Sequence, residues 1–170
     1  MIQQYLVCGP SRVGGHLITE IIKTSGIYAI HTHEGHIKGW DDTVTALILV
    51  DRRDIFSAIM SNCLFYYTKQ WSEYNQTLVD PYQESEEQFK KLYYLHKNQI
   101  KKCDLSKPYK LIKQFYYEDF VNNYNYVYDE LNITPLPGKK ITTKPAPYNY
   151  RNIIINHEKL YELYTQLENI

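Results

Sequence analysis

The chain has 170 residues, enough for one domain with a real core, and its 19 Lys+Arg balance its 19 Asp+Glu at a formal net charge of zero. No global field therefore draws it to nucleic acid or to an anionic membrane, and any site for a polyanion must be local. No apolar run reaches the ~18 residues of a membrane span, and no basic-then-apolar leader opens the chain, which reads as a cytoplasmic protein without a membrane span.

In chain order, residues 2–8 read as a first strand that leads into Gly9-Pro10-Ser11-Arg12-Val13-Gly14-Gly15-His16. A helix follows, with Leu17, Ile18, Ile21 and Ile22 on one face and Ser25-Gly26 as its stop. Ile27-Tyr28-Ala29-Ile30 is a short second strand that runs into His31-Thr32-His33-Glu34-Gly35-His36. Thr45-Ala46-Leu47-Ile48-Leu49-Val50 is a continuous apolar run, the pattern of a central parallel strand covered on both faces. It ends at Asp51-Arg52-Arg53-Asp54, and helix is expected over 54–68. Residues 69–83 read as a loop. Ser85 with Gln88 is a capping-box signal for a helix to about Lys102, with a stripe of Phe89, Leu92, Tyr93, Leu95, His96 and Ile100. Leu111–Tyr116 reads as a fourth strand, 119–131 as helix, 132–148 with its four prolines as loop, and 150–168 as a last helix. Cys8, Cys63 and Cys103 are odd in number and widely spaced, which suggests neither a metal pattern nor a disulfide framework.

Strands alternating with helices imply an α/β fold with a central parallel sheet flanked by helices, three layers in all, over a single domain 1–170. Ligands of such sheets bind at the carboxyl ends of the strands. The loops 9–16, 31–36 and 51–54 each follow a strand, so all three are expected on that one edge. The first is a strand, a glycine-bearing loop and a helix N-terminus, an arrangement that surrounds an anion with backbone N–H groups. Its Gly9-to-Gly14 spacing is that of a Walker A loop. Gly15 and His16, however, stand where the Lys and the Ser/Thr of that motif belong, and both have defined roles in binding a Mg-nucleotide. That mismatch counts against a P-loop kinase. At the third strand's exit, Arg53 and Ser61, eight residues apart, could close on one phosphate, the Arg by bidentate hydrogen bonds. The alternative for such residues is a salt-bridged strand end and a solvated helical serine.

Taken together, these segments resemble the sulfotransferases that use 3′-phosphoadenosine 5′-phosphosulfate (PAPS). Pro10-Ser11-Arg12-Val13-Gly14-Gly15-His16-Leu17 is similar to that family's 5′-phosphosulfate loop, with one extra residue between Pro10 and Arg12. Leu47 to Asp54, continuing to Ser61, is similar to its 3′-phosphate motif, and the Arg-Arg-Asp form is most like bacterial members that act on carbohydrate. Gln114-Phe115-Tyr116-Tyr117-Glu118-Asp119-Phe120 resembles its strand ending in Tyr-Glu-Asp, and His31-Thr32-His33 stands where many members carry Lys-Thr-His. The match covers roughly 2–65 and 110–131. The interval between the loop and the His strand is only about fifteen residues, shorter than in most members, so the acceptor pocket must be reduced or built elsewhere.

The resemblance implies a P-loop-like fold and sulfuryl transfer from PAPS to a hydroxyl or amine of a small-molecule or glycan acceptor, with no metal. Arg12 would be the cation at the bridging oxygen. Arg12, Val13, Gly14, Gly15, His16 and Leu17 would hold the 5′-phosphosulfate, and Arg53 (or Arg52) with Ser61 the 3′-phosphate. His33 would be the base, with His31 and His36 as substitutes. Three His and Glu34 also raise a metal site, but no second ligand cluster accompanies them. Lys139, Lys140 and Lys144 sit in a late loop and match nothing residue by residue, while Trp40, Trp71, Tyr66, Tyr67 and Tyr74 flank the active edge, where aromatics stack or simply pack. The open alternative is a non-catalytic nucleotide-binding protein of the same fold.

Overall fold

The computed structural model describes residues 4–33, 44–68, 80–101, 109–143 and 149–170. Glu34, His36, Trp40, Trp71, Tyr74 and Lys144 lie outside that description, as does the side chain of Ile100. The first apolar run folds as strand β1, Gln4–Cys8. Its alternating side chains feed two different clusters, Tyr5 and Val7 one and Leu6 and Cys8 the other, as the two-residue period of a strand requires. The helix after the loop, α1 (Gly15–Lys23), buries Leu17, Ile18, Ile21 and Ile22 against the first of these faces. Each such side chain contributes roughly 1.5–3 kcal/mol when removed from water. The turn after α1 contains Gly26 at φ 75°, the left-handed position that the Ser-Gly stop anticipates.

Strands β2 (Tyr28–Thr32), β3 (Ala46–Asp51) and β4 (Leu111–Tyr116) complete a four-stranded sheet of order β2-β1-β3-β4. Every pairing is parallel, with Cys8 beside both Thr32 and Leu49, and Asp51 beside Tyr116. The fold is thus α/β, a parallel sheet flanked by helices, as the alternation of elements predicts. One face packs on α1 and on α5 (Tyr124–Leu131), through Val127 and Leu131. A separate cluster joins α2 (Ile55–Thr68), α3 (Glu86–Lys101) and α6 (His157–Glu168) around Phe56, Met60, Phe89, Leu92 and Leu160. Ser85 caps α3 as its spacing predicts, its Oγ accepting from the Gln88 N–H at 3.1 Å.

Three local expectations change. The helix expected at 119–131 divides into a single turn, α4 (Tyr117–Phe120), and α5, with Asn123 between them in a non-helical conformation. The helix expected at 150–168 begins as a 3₁₀ turn, Tyr150–Asn152, and resumes only at His157. Between the two, Ile154 makes a parallel bridge to Tyr82, because its buried side chain belongs to the α2–α3 cluster rather than to a helical stripe. Cys8 is disulfide-bonded, whereas the odd number and wide spacing of the cysteines suggested no disulfide framework. Cys63 is free and buried. No described helix is long and apolar enough to cross a membrane.

Strand order places the topological switch point between β1 and β3: the chain leaves β1 toward β2 on one side, then returns to β3 on the other. Parallel sheets leave a crevice there, outside the carboxyl ends of the two strands. The loop 9–14 and the turn at Arg52–Asp54 are its two lips.

Candidate functional site

The loop after β1 is shaped by close backbone approach. A side chain at Gly9 would stand 2.1 Å from the Val50 carbonyl oxygen, so glycine lets the loop pass directly over the end of β3. Gly14 has φ 87° and caps α1 without any side-chain bond, at a helix N-terminus whose first N–H groups are those of Gly15, His16 and Leu17. Gly14 also lies against Tyr117 and Phe120 of α4. Arg12 has φ 68°, a left-handed conformation that costs a non-glycine residue about 1–2 kcal/mol. Strain of this kind persists only where the surroundings impose it.

Those surroundings aim the Arg12 guanidinium at α2. Its Nε donates to the Ser61 Oγ at 3.0 Å, and its charge lies 5.9 Å from the centre of the Phe65 ring. No carboxylate pairs with Arg12 among the described residues, and neither Nη group has a hydrogen bond among them. Burial lowers its pKa; Tyr117 opposes that effect and the nearby Arg52 adds to it. Arg52 approaches from the opposite lip. Its guanidinium lies over the Tyr117 ring at 4.8 Å, and its Nε stands 3.5 Å from Glu118 Oε1. That distance is an ion pair but a poor hydrogen bond, and the buried Nε has no hydrogen-bond partner among the described residues. Two guanidinium groups thus approach the switch point, one of them largely buried and without a counter-charge among the described residues.

Arg53 turns away. Its two Nη groups bind both oxygens of Asp119 at 2.6 and 2.7 Å, and its charge stacks over Tyr116 at 4.5 Å. Glu118 accepts from the backbone N–H groups of Arg53 and Asp54. The pairing of Arg53 with Ser61 is therefore not made: Ser61 is bound to Arg12, and the strand-end salt bridge raised from the sequence is the contact seen at Arg53. The Tyr-Glu-Asp segment ties the exit of β4 to the exit of β3.

Three imidazoles flank the loop on the β2 side. His31 meets His16 edge-on at 4.6 Å and His33 at 4.5 Å. Burial, helped by His33 and His16, pulls the His31 pKa down to about 3. His31 Nε2 is buried without a hydrogen bond among the described residues, against Gly15, where a Cβ would come within 2.1 Å of it. This contact explains the glycine at the position where a Walker loop carries Lys: the imidazole from β2 occupies the space of a side chain. Burial also lowers the His16 pKa, with His33, Arg12 and Lys23 acting in the same direction. His33 Nδ1 lies 2.8 Å from the Gly9 carbonyl oxygen, which can only accept, so Nδ1 carries the proton and Nε2 keeps its lone pair in the neutral ring.

The structure thus gathers Arg12, Val13, Gly14, Gly15, His16, Leu17, His33 and Ser61 at the carboxyl end of β1, with Val13 and Leu17 buried in the core beneath the loop. Lys139 and Lys140 are exposed on a segment tied to α1 through Thr142 and Thr143, which donate to Glu20. Tyr66 and Tyr67 are half-exposed, and Tyr67 stacks on Tyr82 at 3.7 Å. The sequence shows His31 as a substitute for His33, Asp51 as a member of the segment 47–54 and His96 as one member of a helical stripe, but not the contacts that each makes here. Among the described residues no three His, Cys, Asp or Glu side chains are arranged to hold a metal ion. Scans of protein-family models, of curated proteins and of solved structures return no match to this chain.

Proposed function

We propose that the crevice between β1 and β3 binds the phosphate groups of a nucleotide, and that the chain is a P-loop-like sulfotransferase drawing on PAPS. The observation that carries this reading is Arg12: a strained, largely buried guanidinium, held by Ser61 and facing Arg52, with no carboxylate of its own among the described residues. Buried charges in proteins are paired, so this one calls for an anion. The α1 N-terminus beside it, which Gly14 caps with no side-chain bond, points its backbone N–H groups and its dipole toward the same anion.

In this reading the 5′-phosphosulfate lies on the N–H groups of Gly14 to Leu17. The acceptor hydroxyl or amine, on a small molecule or a glycan, attacks sulfur in line with the bridging oxygen. The S–O bond to the 5′-phosphate breaks as the new bond forms. Charge gathering on the departing phosphate oxygen is met by Arg12 and the helix N–H groups, donors already in place before reaction. His33 Nε2 takes the acceptor proton. The 3′-phosphate belongs to the Arg-Arg-Asp turn and Ser61. Arg52 is the guanidinium whose charge acts on Arg12, and Arg53 reaches a ligand only by releasing Asp119. A non-catalytic nucleotide-binding protein is the second reading. It is favoured by the engaged state of Arg53, whose charge is already satisfied.

Thermal unfolding with adenosine 3′,5′-bisphosphate, against ATP with Mg²⁺, tests the binding step, because a ligand of the native state raises Tm by mass action. We expect a rise with the bisphosphate that Arg12→Ala abolishes and that Arg52→Ala reduces more than Arg53→Ala. A rise with ATP and Mg²⁺ alone would overturn the reading. Transfer of labelled sulfate from PAPS to a panel of glycans and phenols, lost in His33→Ala, separates the enzyme from the binding protein.

A further inference from the structure

On the far side of the crevice, α3 presents two buried polar side chains one turn apart, His96 and Gln99. Residues three apart share a helix face, and both of these meet the lips of the site. Gln99 Oε1 accepts from the Ser11 N–H of the loop at 3.1 Å. His96 Nε2 stands 3.7 Å from Asp51 Oδ1, at the last residue of β3. The same carboxylate oxygen accepts from the Arg52 N–H at 2.7 Å. His96, Asp51 and the backbone of Arg52, whose guanidinium faces Arg12, thus stand in line.

The first link of that line is open. The His96 side chain is 0% exposed, and neither of its ring nitrogens has a hydrogen-bond partner among the described residues. An imidazole always carries at least one N–H, and sealed from water that donor is costly to leave unmatched. Glu168, a second carboxylate facing His96, is already engaged by Lys97 at 2.7 Å. Asp51 is thus an acceptor nearly within reach among the described residues, about half an ångström beyond hydrogen-bond length.

We propose that His96 is a positioning residue of the anion site: its ring N–H closes onto the Asp51 carboxylate when the crevice is filled, and the pair holds the Asp51–Arg52 turn with the Arg52 guanidinium toward the ligand. The inference rests on the binding reading above and adds a residue that touches no ligand itself. A filled crevice draws Arg52 inward, and Asp51, bonded to the Arg52 N–H, moves with it. His96 then gains the partner it lacks in the empty site.

The test is calorimetric titration of adenosine 3′,5′-bisphosphate into the wild type, His96→Leu and His96→Gln. Leucine removes the buried donor, and glutamine places an amide N–H near the position of Nε2. We expect His96→Leu to raise Kd by about tenfold, the value of one hydrogen bond to a charged group. We expect His96→Gln to restore it to within about threefold. The unliganded Tm of His96→Leu should be unchanged or higher, since an apolar side chain there leaves no polar atom unmatched. A merely structural histidine would do the reverse, lowering Tm and leaving Kd alone, and that result overturns the proposal. Should His96→Leu not fold, ring-nitrogen NMR of the wild type decides: the His96 signal must move on adding the bisphosphate, and a stationary signal overturns the proposal. Failure of the wild type itself to bind the bisphosphate overturns the binding reading and the inference with it. Wild-type binding that His96→Leu leaves intact overturns the inference alone.

Discussion

Gly15 and His31 depend on each other. A Walker-type loop would carry Lys at position 15, yet any Cβ there meets the His31 ring, which is packed between His16 and His33. Gly15→Ala should therefore destabilise by about 1–3 kcal/mol, the usual cost of overpacking. In a His31→Ala background the same substitution should cost under about 1 kcal/mol, because the obstructing ring is gone. Denaturant unfolding of the four proteins gives the coupling as a double-mutant cycle, and additive effects would contradict this contact. The glycine is plain in the sequence, but its cause is not. His31 is sixteen residues away and reaches Gly15 only because β2 lies beside β1.

At the level of elements, most of the chain follows local rules. The stripes of α1 and α3 and the continuous run of β3 occur where their periodicities put them. The α3 cap is local enough to test alone. Ser85→Ala removes the bond from Gln88 N–H, and should cost about 1 kcal/mol, a fall of roughly 2–4 °C in Tm. The departures arise where tertiary contacts outweigh periodicity. Ile153 and Ile154 continue an apolar stripe on paper, yet Ile154 leaves the helix to join Phe56 and Phe89 in a core that three helices share. Likewise Arg53 and Ser61 have the spacing of a phosphate clamp, but Asp119 lies 66 residues beyond Arg53 and takes its guanidinium.

For the molecule as a whole, the histidine cluster sets a pH dependence. His31 ordinarily titrates at 6.5 and in the folded protein at about 3. The unfolded chain thus takes up a proton that the folded one refuses as pH falls below 6.5. The stability His31 confers is fully present above that pH and is lost progressively toward pH 3. The slope is at most roughly 1.4 kcal/mol per pH unit for one proton. His16, also depressed, acts in the same direction. Glu20, Glu86 and Glu168, held below their ordinary 4.5, lose stability only at more acid pH. Between pH 6.5 and 4.5 the loss therefore belongs to the histidines. Unfolding free energies measured across that window should fall in the wild type and fall less steeply in His31→Ala. Equal slopes would refute the burial of a neutral His31.

Local chemistry is enough to determine the parallel α/β sheet, the glycine-bearing loop before α1 and the edge on which it opens. Strand and helix periods, glycine positions and strand exits are all set by residues near in sequence. Which arginine faces the crevice, what fills the place of the missing lysine and what stands behind Asp51 are tertiary facts. Arg12 meets Ser61, His31 meets Gly15 and His96 meets Asp51 only after strands from different parts of the chain lie side by side. Charge and burial at those meetings depend on three-dimensional neighbours, and no spacing along the chain encodes them.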